Sequence, residues 1–307
     1  VTLMNLATVL SSVELGVIYA IMSLGVFISF RTLNMPDLTV DGSFVLGAAV
    51  SAVLCTAGRP LAGIILALAA GALAGSVTAL LHTKLKIQPI LSGILTMLAL
   101  YSINLKVMGN RANIPLLNQK TIFNLPEWMP GPDYAALIIS LLLLFTVMIL
   151  LYFFLKTKIG LVLRATGDNE QMVRALGVST DLTKLIGLAL ANALVALSGA
   201  LIAQYQSFAD VGMGIGMVII GLASVIIGEA IFGTSNLLRR LIAVILGSIV
   251  YRLAIAFALE LGMPPTDLKL ISAVIVCAAL SMPTIKEQLS LLQQRYTAAV
   301  NNRGRPL

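Results

Sequence analysis

NMPDLTVDG, residues 34–42, interrupts an otherwise apolar N-terminal stretch. SSVELGVIYAIMSLGVFISF (11–30) before it is long and apolar enough to cross a membrane, and FVLGAAVSAVLC (44–55) after it is apolar again. Pro36 removes a backbone donor and Gly42 tolerates unusual dihedrals, so a continuous helix ends here. The fold turns on whether this is a turn in water or irregular backbone at membrane depth. The latter is tolerated only where protein or a water-filled cavity surrounds it.

The rest of the chain answers the broader question. Among its 307 residues, 59% are hydrophobic and 11% charged, and the mean hydropathy is +1.00. A soluble domain cannot hide that much apolar surface, whereas lipid solvates it. Further runs at 61–81, 90–107, 134–155, 185–206, 217–232, 241–259 and 270–282 have the length or apolarity of spans or parts of spans. The expected fold is an all-α polytopic membrane protein with about 8–9 transmembrane helices and one broken or re-entrant element near the N-terminus. Residues 1–283 form the transmembrane domain, and 284–307 an interfacial helix and basic tail. The first residues lack the basic region of a signal peptide. Cys55 and Cys277 sit in separate apolar segments and read as small buried hydrophobes. The net charge of +7 is scattered over short loops, which fits membrane topology and excludes a nucleic-acid-binding face.

Basic residues favour cytoplasmic loops. The segment 156–184, the turn at Arg239 and Arg240, the tail, and the cluster His82, Lys84 and Lys86 are all placed there, with the C-terminus cytoplasmic. The loop 109–133, with Trp128 among prolines, falls outside. Two solutions remain for the start of the chain. In one, 44–55 is a short span, 34–42 lies near the cytoplasm and the N-terminus is outside. In the other, 11–30 runs outward and 34–55 is a broken element. Residues 44–55 alone give about 18 Å of helix, too short to span, which favours the second. Ser11-x-x-Glu14 and Thr284-x-x-Glu287 read as capping boxes, and Gly71-x-x-x-Gly75 as a close helix contact.

Within 156–184, IGLVLRATGDNEQMVRALGVSTDLTKLIG (159–187) predicts a short helix. Asp168 is its expected N-cap, with Gln171 closing the box and Gly177 ending it. Met172, Ala175 and Leu176 share one side. Such an element either docks on a partner or packs on the protein's own inner face.

The run Gly160-x-x-x-Arg164-Ala165-x-Gly167-x-Asn169, continuing to Ala175 and Gly177, resembles the cytoplasmic coupling loop of ABC importer permeases of the branched-chain amino acid and ribose type. GVIYAIMSLGVFISF with DLTVDGSFVLGA, and QYQSFADVGMGIGMVIIGLASVIIGEAIFG, extend the resemblance over most of the chain. They look closest to a bacterial branch associated with aromatic amino acid (tryptophan/tyrosine) uptake. The resemblance implies a permease subunit in the bacterial cytoplasmic membrane that passes a small solute, an amino acid, delivered by an extracytoplasmic binding protein. Its implied partners are two ATP-binding subunits, which carry ATP and Mg, and a second permease copy or close paralogue. Coupling to the ATP-binding subunits would fall on Arg164, Ala165, Gly167, Asp168, Asn169, Glu170, Met172, Ala175 and Gly177.

This chain has no phosphate-cradling G-x-x-x-x-G-K-[ST] loop. It offers no metal-ligand spacing and no catalytic motif around its one histidine, His82, so it is expected to bind no cofactor and catalyse nothing itself. Gly212-x-Gly214-x-Gly216 reads as a turn with close packing, not a dinucleotide fingerprint. The competing class is an ion- or proton-coupled transporter, which places ionisable residues in its spans. Asp37, Asp41, Asp210 and Glu229 are the candidates. For the substrate pathway the polar residues are Asn34, Asp37, Thr39, Asp41, Ser43, Gln88, Ser92 and Thr96. Ser92 and Thr96 have an equal claim to helix packing, and Asp41 is expected to cap the helix that begins at Phe44.

Overall fold

A computed structural model describes residues 6–124 and 132–264, with 267, 270, 272–278 and 281. Eight of its helices are long and apolar enough to cross a membrane. Helix α1 (Leu6–Val26) widens into a π-helical turn, Phe27–Thr32, and α2 (Thr39–Thr56) follows the interruption. Helices α3 (Pro60–Thr83) and α4 (Pro89–Val107) each open on a proline, whose missing N–H is unneeded at a helix start. Strand β1 (Asn113–Pro115) precedes α5 (Pro132–Lys156). Two short helices, α6 (Lys158–Asp168) and α7 (Glu170–Ala175), lead into α8 (Thr180–Gln206). Strand β2 (Phe208–Asp210), a 3-10 turn (Val211–Gly214), α9 (Met217–Phe232) and α10 (Leu237–Glu260) complete the order.

Helix α8 is the axis, flanked by α1, α2 and α3; α10 packs against α1 and α9, and α5 against α1. Glycines allow the close approaches. A Cβ at Gly47 would collide with the Ala196 carbonyl, at Gly199 with that of Phe44, and at Gly75 with that of Leu188. Gly71 meets Asn192 in the same way, so Gly71-x-x-x-Gly75 is a packing stripe as expected.

Contacts along α8 set the direction of its neighbours. Ser198 Oγ donates to Ile18 O, and Gly25 abuts Ala191, so α1 runs antiparallel to α8 and ends beside α6. Helix α2 rises parallel to it, from Ser43 at Asn192 to Ser51 near Ala200. The favoured reading of 11–30 as running away from the 156–184 end is therefore corrected: α1 runs toward that end, as in the other solution, but Asp37 lies at the level of Asn192 and not near that end. The arithmetic failed because α2 starts at Thr39 and has 18 residues, not twelve, about 27 Å of helix. The interruption itself is present at 33–38.

The far end of α8 holds a small hairpin, in which Asn113, Ile114 and Pro115 pair with Asp210, Ala209 and Phe208. Ile122 N donates to Gln204 Oε1 at 2.9 Å and fastens the loop down. Trp128, Pro126 and Pro130 lie outside the described residues, as do the expected 284–287 box, the tail and residues 271, 279, 280 and 282 of the run 270–282. Ser11-x-x-Glu14 is no capping box: α1 already runs through it from Leu6, and Glu14 instead accepts from the Tyr205 hydroxyl at 2.6 Å. Cys55 is buried as expected, whereas Cys277 is exposed.

Candidate functional site

Two polar regions stand out. The first is built on the interruption. Asn34 takes a left-handed conformation (φ 53°), Met35 N bonds back to Ser29 O at 2.9 Å, and Asp37 arrives at the level of Asn192, near the middle of α8. Asp37 is 5% exposed. Its Oδ1 accepts from Thr39 N at 2.9 Å and its Oδ2 from Asn192 Nδ2 at 2.7 Å. Ser43 Oγ donates to Asn192 Oδ1 at 2.7 Å. The Thr78 hydroxyl stands 2.8 Å from that of Thr39 and 3.0 Å from that of Thr96. A Cβ on Gly93 would come within 2.8 Å of Leu38 N, so α4 lies directly on the break.

Five of the sequence-predicted pathway residues thus converge: Asp37, Thr39 and Ser43 join Asn192 and Thr78, while Thr96, with Ser92 one turn before it, closes the group from α4. Their polar atoms bond to one another and to backbone. The group ties α2, α3, α4 and α8 together at mid-bundle, which suits buried polar atoms that have no water to turn to. Asn34 and Gln88 remain exposed outside it. Asn192 and Thr78 were not singled out in the sequence. An asparagine within LALANALVALSG was the available signal, since a primary amide inside an apolar span requires a partner.

Asp41 does something else. It lies in the first turn of α2, and its carboxylate accepts from Gly216 N at 3.0 Å and Val218 N at 2.8 Å. It caps α9, not a helix beginning at Phe44, a correction that follows from α2 beginning at Thr39. Gly216 (φ 87°) makes the turn into α9, and a Cβ on Gly214 would strike the Asp41 carbonyl. The three-glycine run is therefore a turn with close packing, as expected. Asp210 accepts from Gly212 N at 2.7 Å, and Glu229 pairs with Arg31 at 3.0 Å. All four candidate ionisable residues of the competing transporter class have structural partners.

The second region is the segment before α8. Thr157 caps α6, a helix that the sequence reading left as loop. Asn169, not Asp168, caps α7, its Oδ1 accepting from Met172 N at 3.0 Å. Asp168 is already the last residue of α6, and Gln171 closes no box. The helix has six residues, shorter than the expected span, and Gly177 (φ 78°) ends it as expected. Val173 is buried, while Met172, Ala175 and Leu176 are exposed together. Gly167 is dictated by packing: a Cβ there would strike the Thr32 carbonyl at the end of the π-helical turn. Arg164 and Ala165 are half-buried on α6, and Asp168 and Asn169 are exposed.

Glu170 fastens α7 to α8. Its Oε1 lies 2.8 Å from Lys184 Nζ, 2.8 Å from Arg174 Nη2 and 3.1 Å from the Thr180 hydroxyl. Burial pushes its carboxyl up, but Lys184, then Thr180 and Arg174, outweigh that and hold it below the usual carboxylate range. Lys184 also reaches His82 Nε2 at 3.2 Å, and His82 Nδ1 stands 2.8 Å from Ile87 O. The α3–α4 turn and α7 therefore share one polar junction, on the rim of a cleft of about 660 Å³. Among the described residues no cluster of His, Cys, Asp or Glu could hold a metal.

A family model described as branched-chain amino acid transport system, permease component, matches residues 8–279. The tyrosine transport system permease protein of Clostridioides difficile (strain R20291) is 40% identical, over 96% of this chain and 98% of its own. An uncharacterized protein of Rickettsia prowazekii (strain Madrid E) is 35% identical, over 89% of this chain and 96% of its own. The ribose import permease protein of Escherichia coli (strain K12) is 24% identical, over 81% of this chain and 76% of its own. No solved structure matches.

Proposed function

The chain belongs to the family of branched-chain amino acid transport system permease components, and we propose that it imports an aromatic amino acid. It is a multi-pass membrane protein and the permease subunit of an ABC importer. Membership implies ATP-binding subunits and a substrate-binding protein as partners. The composition proposed is two permease copies, or this chain with a close paralogue, with two ATP-binding subunits that hold ATP and Mg. An extracytoplasmic binding protein would deliver the substrate. The complex would lie in the bacterial cytoplasmic membrane with the C-terminus inside.

The observation that carries the substrate reading is the 40% identity with a tyrosine permease along 96% of the chain. For the docking site, support comes from α7. Its exposed Met172, Ala175 and Leu176 form a small apolar face that fits a partner's groove. Glu170 joins that face rigidly to α8, so a push on α7 reaches the axis of the bundle. Arg164, Ala165, Gly167, Asp168, Asn169 and Gly177 would shape this docking surface, Gly167 and Gly177 through the backbone they permit. Asp37, Thr39, Ser43, Ser92 and Thr96 would hold the pathway helices in register rather than touch the solute. Asn34 and Gln88 would stand at its inner mouth.

The test is to replace Met172 and Leu176 together by aspartate in a strain that also expresses the ATP-binding subunit encoded beside this chain. Co-purification of the two subunits is expected to fall at least about tenfold, the effect of losing roughly 1.4 kcal/mol, with membrane insertion unchanged. Undiminished co-purification would remove α7 from the interface.

A further inference from the structure

At the end of the bundle where α1 finishes, a cleft of about 420 Å³ opens between α6, the end of α1 and the start of α10. Its walls carry three arginines, Arg31, Arg164 and Arg240, together with Asp168, Leu161 and Asn236, among others. None of its lining residues belongs to the junction around Glu170. Arg31 lies in the π-helical turn that ends α1, and Arg240 sits in the first turn of α10. That is the level at which spans give way to lipid headgroups.

The positive charge here is only partly answered. Arg31 gives its Nε to Glu229 at 3.0 Å, and its side chain is still 49% exposed. Arg240 donates its Nε to Thr234 O at 2.9 Å and has no ion-pair partner among the described residues. Arg164 makes no hydrogen bond or ion pair with any described residue, and its Nε is enclosed without an acceptor. Asp168, also unpaired among the described residues, offsets one of these charges and leaves another without a counter-charge. No side chain caps α10 and its first turn holds no acidic residue, so its free amides add to the positive potential. Apolar surface adjoins this charge. Leu161, in the wall, is 50% exposed, and Ile159 on α6 and Leu238 and Ile242 on α10 are exposed as well. A soluble anion gains nothing from such a surface, whereas an amphipathic one does.

We propose that this cleft holds the phosphate of an anionic phospholipid, whose acyl chains lie along the exposed apolar side chains of α6 and α10. Basic pockets between spans at headgroup level take such groups. The phosphodiester supplies the missing negative charge and accepts from the terminal nitrogens of Arg31 and Arg240, while Arg164 contributes charge from within the wall. A zwitterionic headgroup brings its own cation and gains no such net attraction. No hydrogen bond or ion pair joins α6 to α10 among the described residues. The bound lipid supplies that joint, and α6 leads directly into α7. The site is independent of which solute is carried.

The experiment is native mass spectrometry of the full-length permease in detergent, titrated separately with phosphatidylglycerol and phosphatidylcholine. Phosphatidylglycerol is expected to bind at least about tenfold more tightly. Arg240→Gln and Arg164→Gln are each expected to weaken its binding about fivefold, the weight of one arginine near an anionic lipid surface. Arg164→Gln breaks no hydrogen bond of the fold, so it reports on charge even where Arg240→Gln disturbs the turn before α10. The control is Arg239→Gln, which removes the same charge from a neighbouring residue outside the cleft and is expected to change binding less than twofold. Equal binding of the two lipids, or equal weakening by Arg239→Gln, would overturn the site. So would displacement of the lipid by millimolar inorganic phosphate, which would make this a site for free anions. Displacement by the ATP-binding subunit would overturn it too, by assigning the cleft to the subunit interface.

Discussion

Asp41 illustrates how much one side chain does in this bundle. Both its oxygens serve the first turn of α9, whose amides otherwise face a buried junction with α2. Replacement by alanine removes a charged cap and is expected to cost about 1–2 kcal/mol. It should appear as a lower thermal midpoint of the purified permease, with Asp41→Asn recovering part of the loss. An unchanged midpoint would mean that α9 is capped by other means. That Asp41 caps a helix was legible from an acidic residue beside a glycine at a helix start. Which helix it caps was not, because Gly216 and Val218 lie about 175 residues further along the chain.

At the scale of elements, the junction of α7 with α8 has a defined dependence on pH. The folded-state pKa of Glu170 is lowered relative to about 4.3 for a free glutamate. Its contribution is therefore complete above that value and disappears as pH falls through the lower folded-state pKa. The difference in melting temperature between the wild type and Glu170→Gln is expected to stay constant from about pH 5.5 upward and to close in acid. A difference that changes between pH 6 and 8 would assign the titration to another group. The sequence marked this element through Gly177 and the Met172, Ala175, Leu176 face. It placed the cap one residue early because Asp168 and Asn169 are both good caps, and only the end of α6 decides between them. The glycine contacts along α8 show the converse: small residues at helical spacing announced close packing, though not which carbonyls they would meet.

At the scale of the whole molecule, α8 runs from the junction around Glu170 to the hairpin, and labelling can assign each end to a face. In a background with Cys55 and Cys277 replaced by alanine, single changes Asn34→Cys and Leu176→Cys are expected to react with an impermeant maleimide only from the cytoplasmic side. Leu117→Cys, exposed beside the hairpin, should react only from outside. Reaction of position 34 from the same side as position 117 would refute the antiparallel course of α1 along α8. Composition and run length alone determined that this is an all-α polytopic membrane protein, because apolar side chains in such numbers have no other solvent. The interruption after α1 was equally plain, because Pro36 cannot donate within a helix. Only tertiary structure decided the direction of α1, the meeting of Asp37 with Asn192 and the capping of α9 by Asp41. Each depends on residues brought together across the bundle from distant positions, and a sequence specifies such meetings only through the packing of the whole.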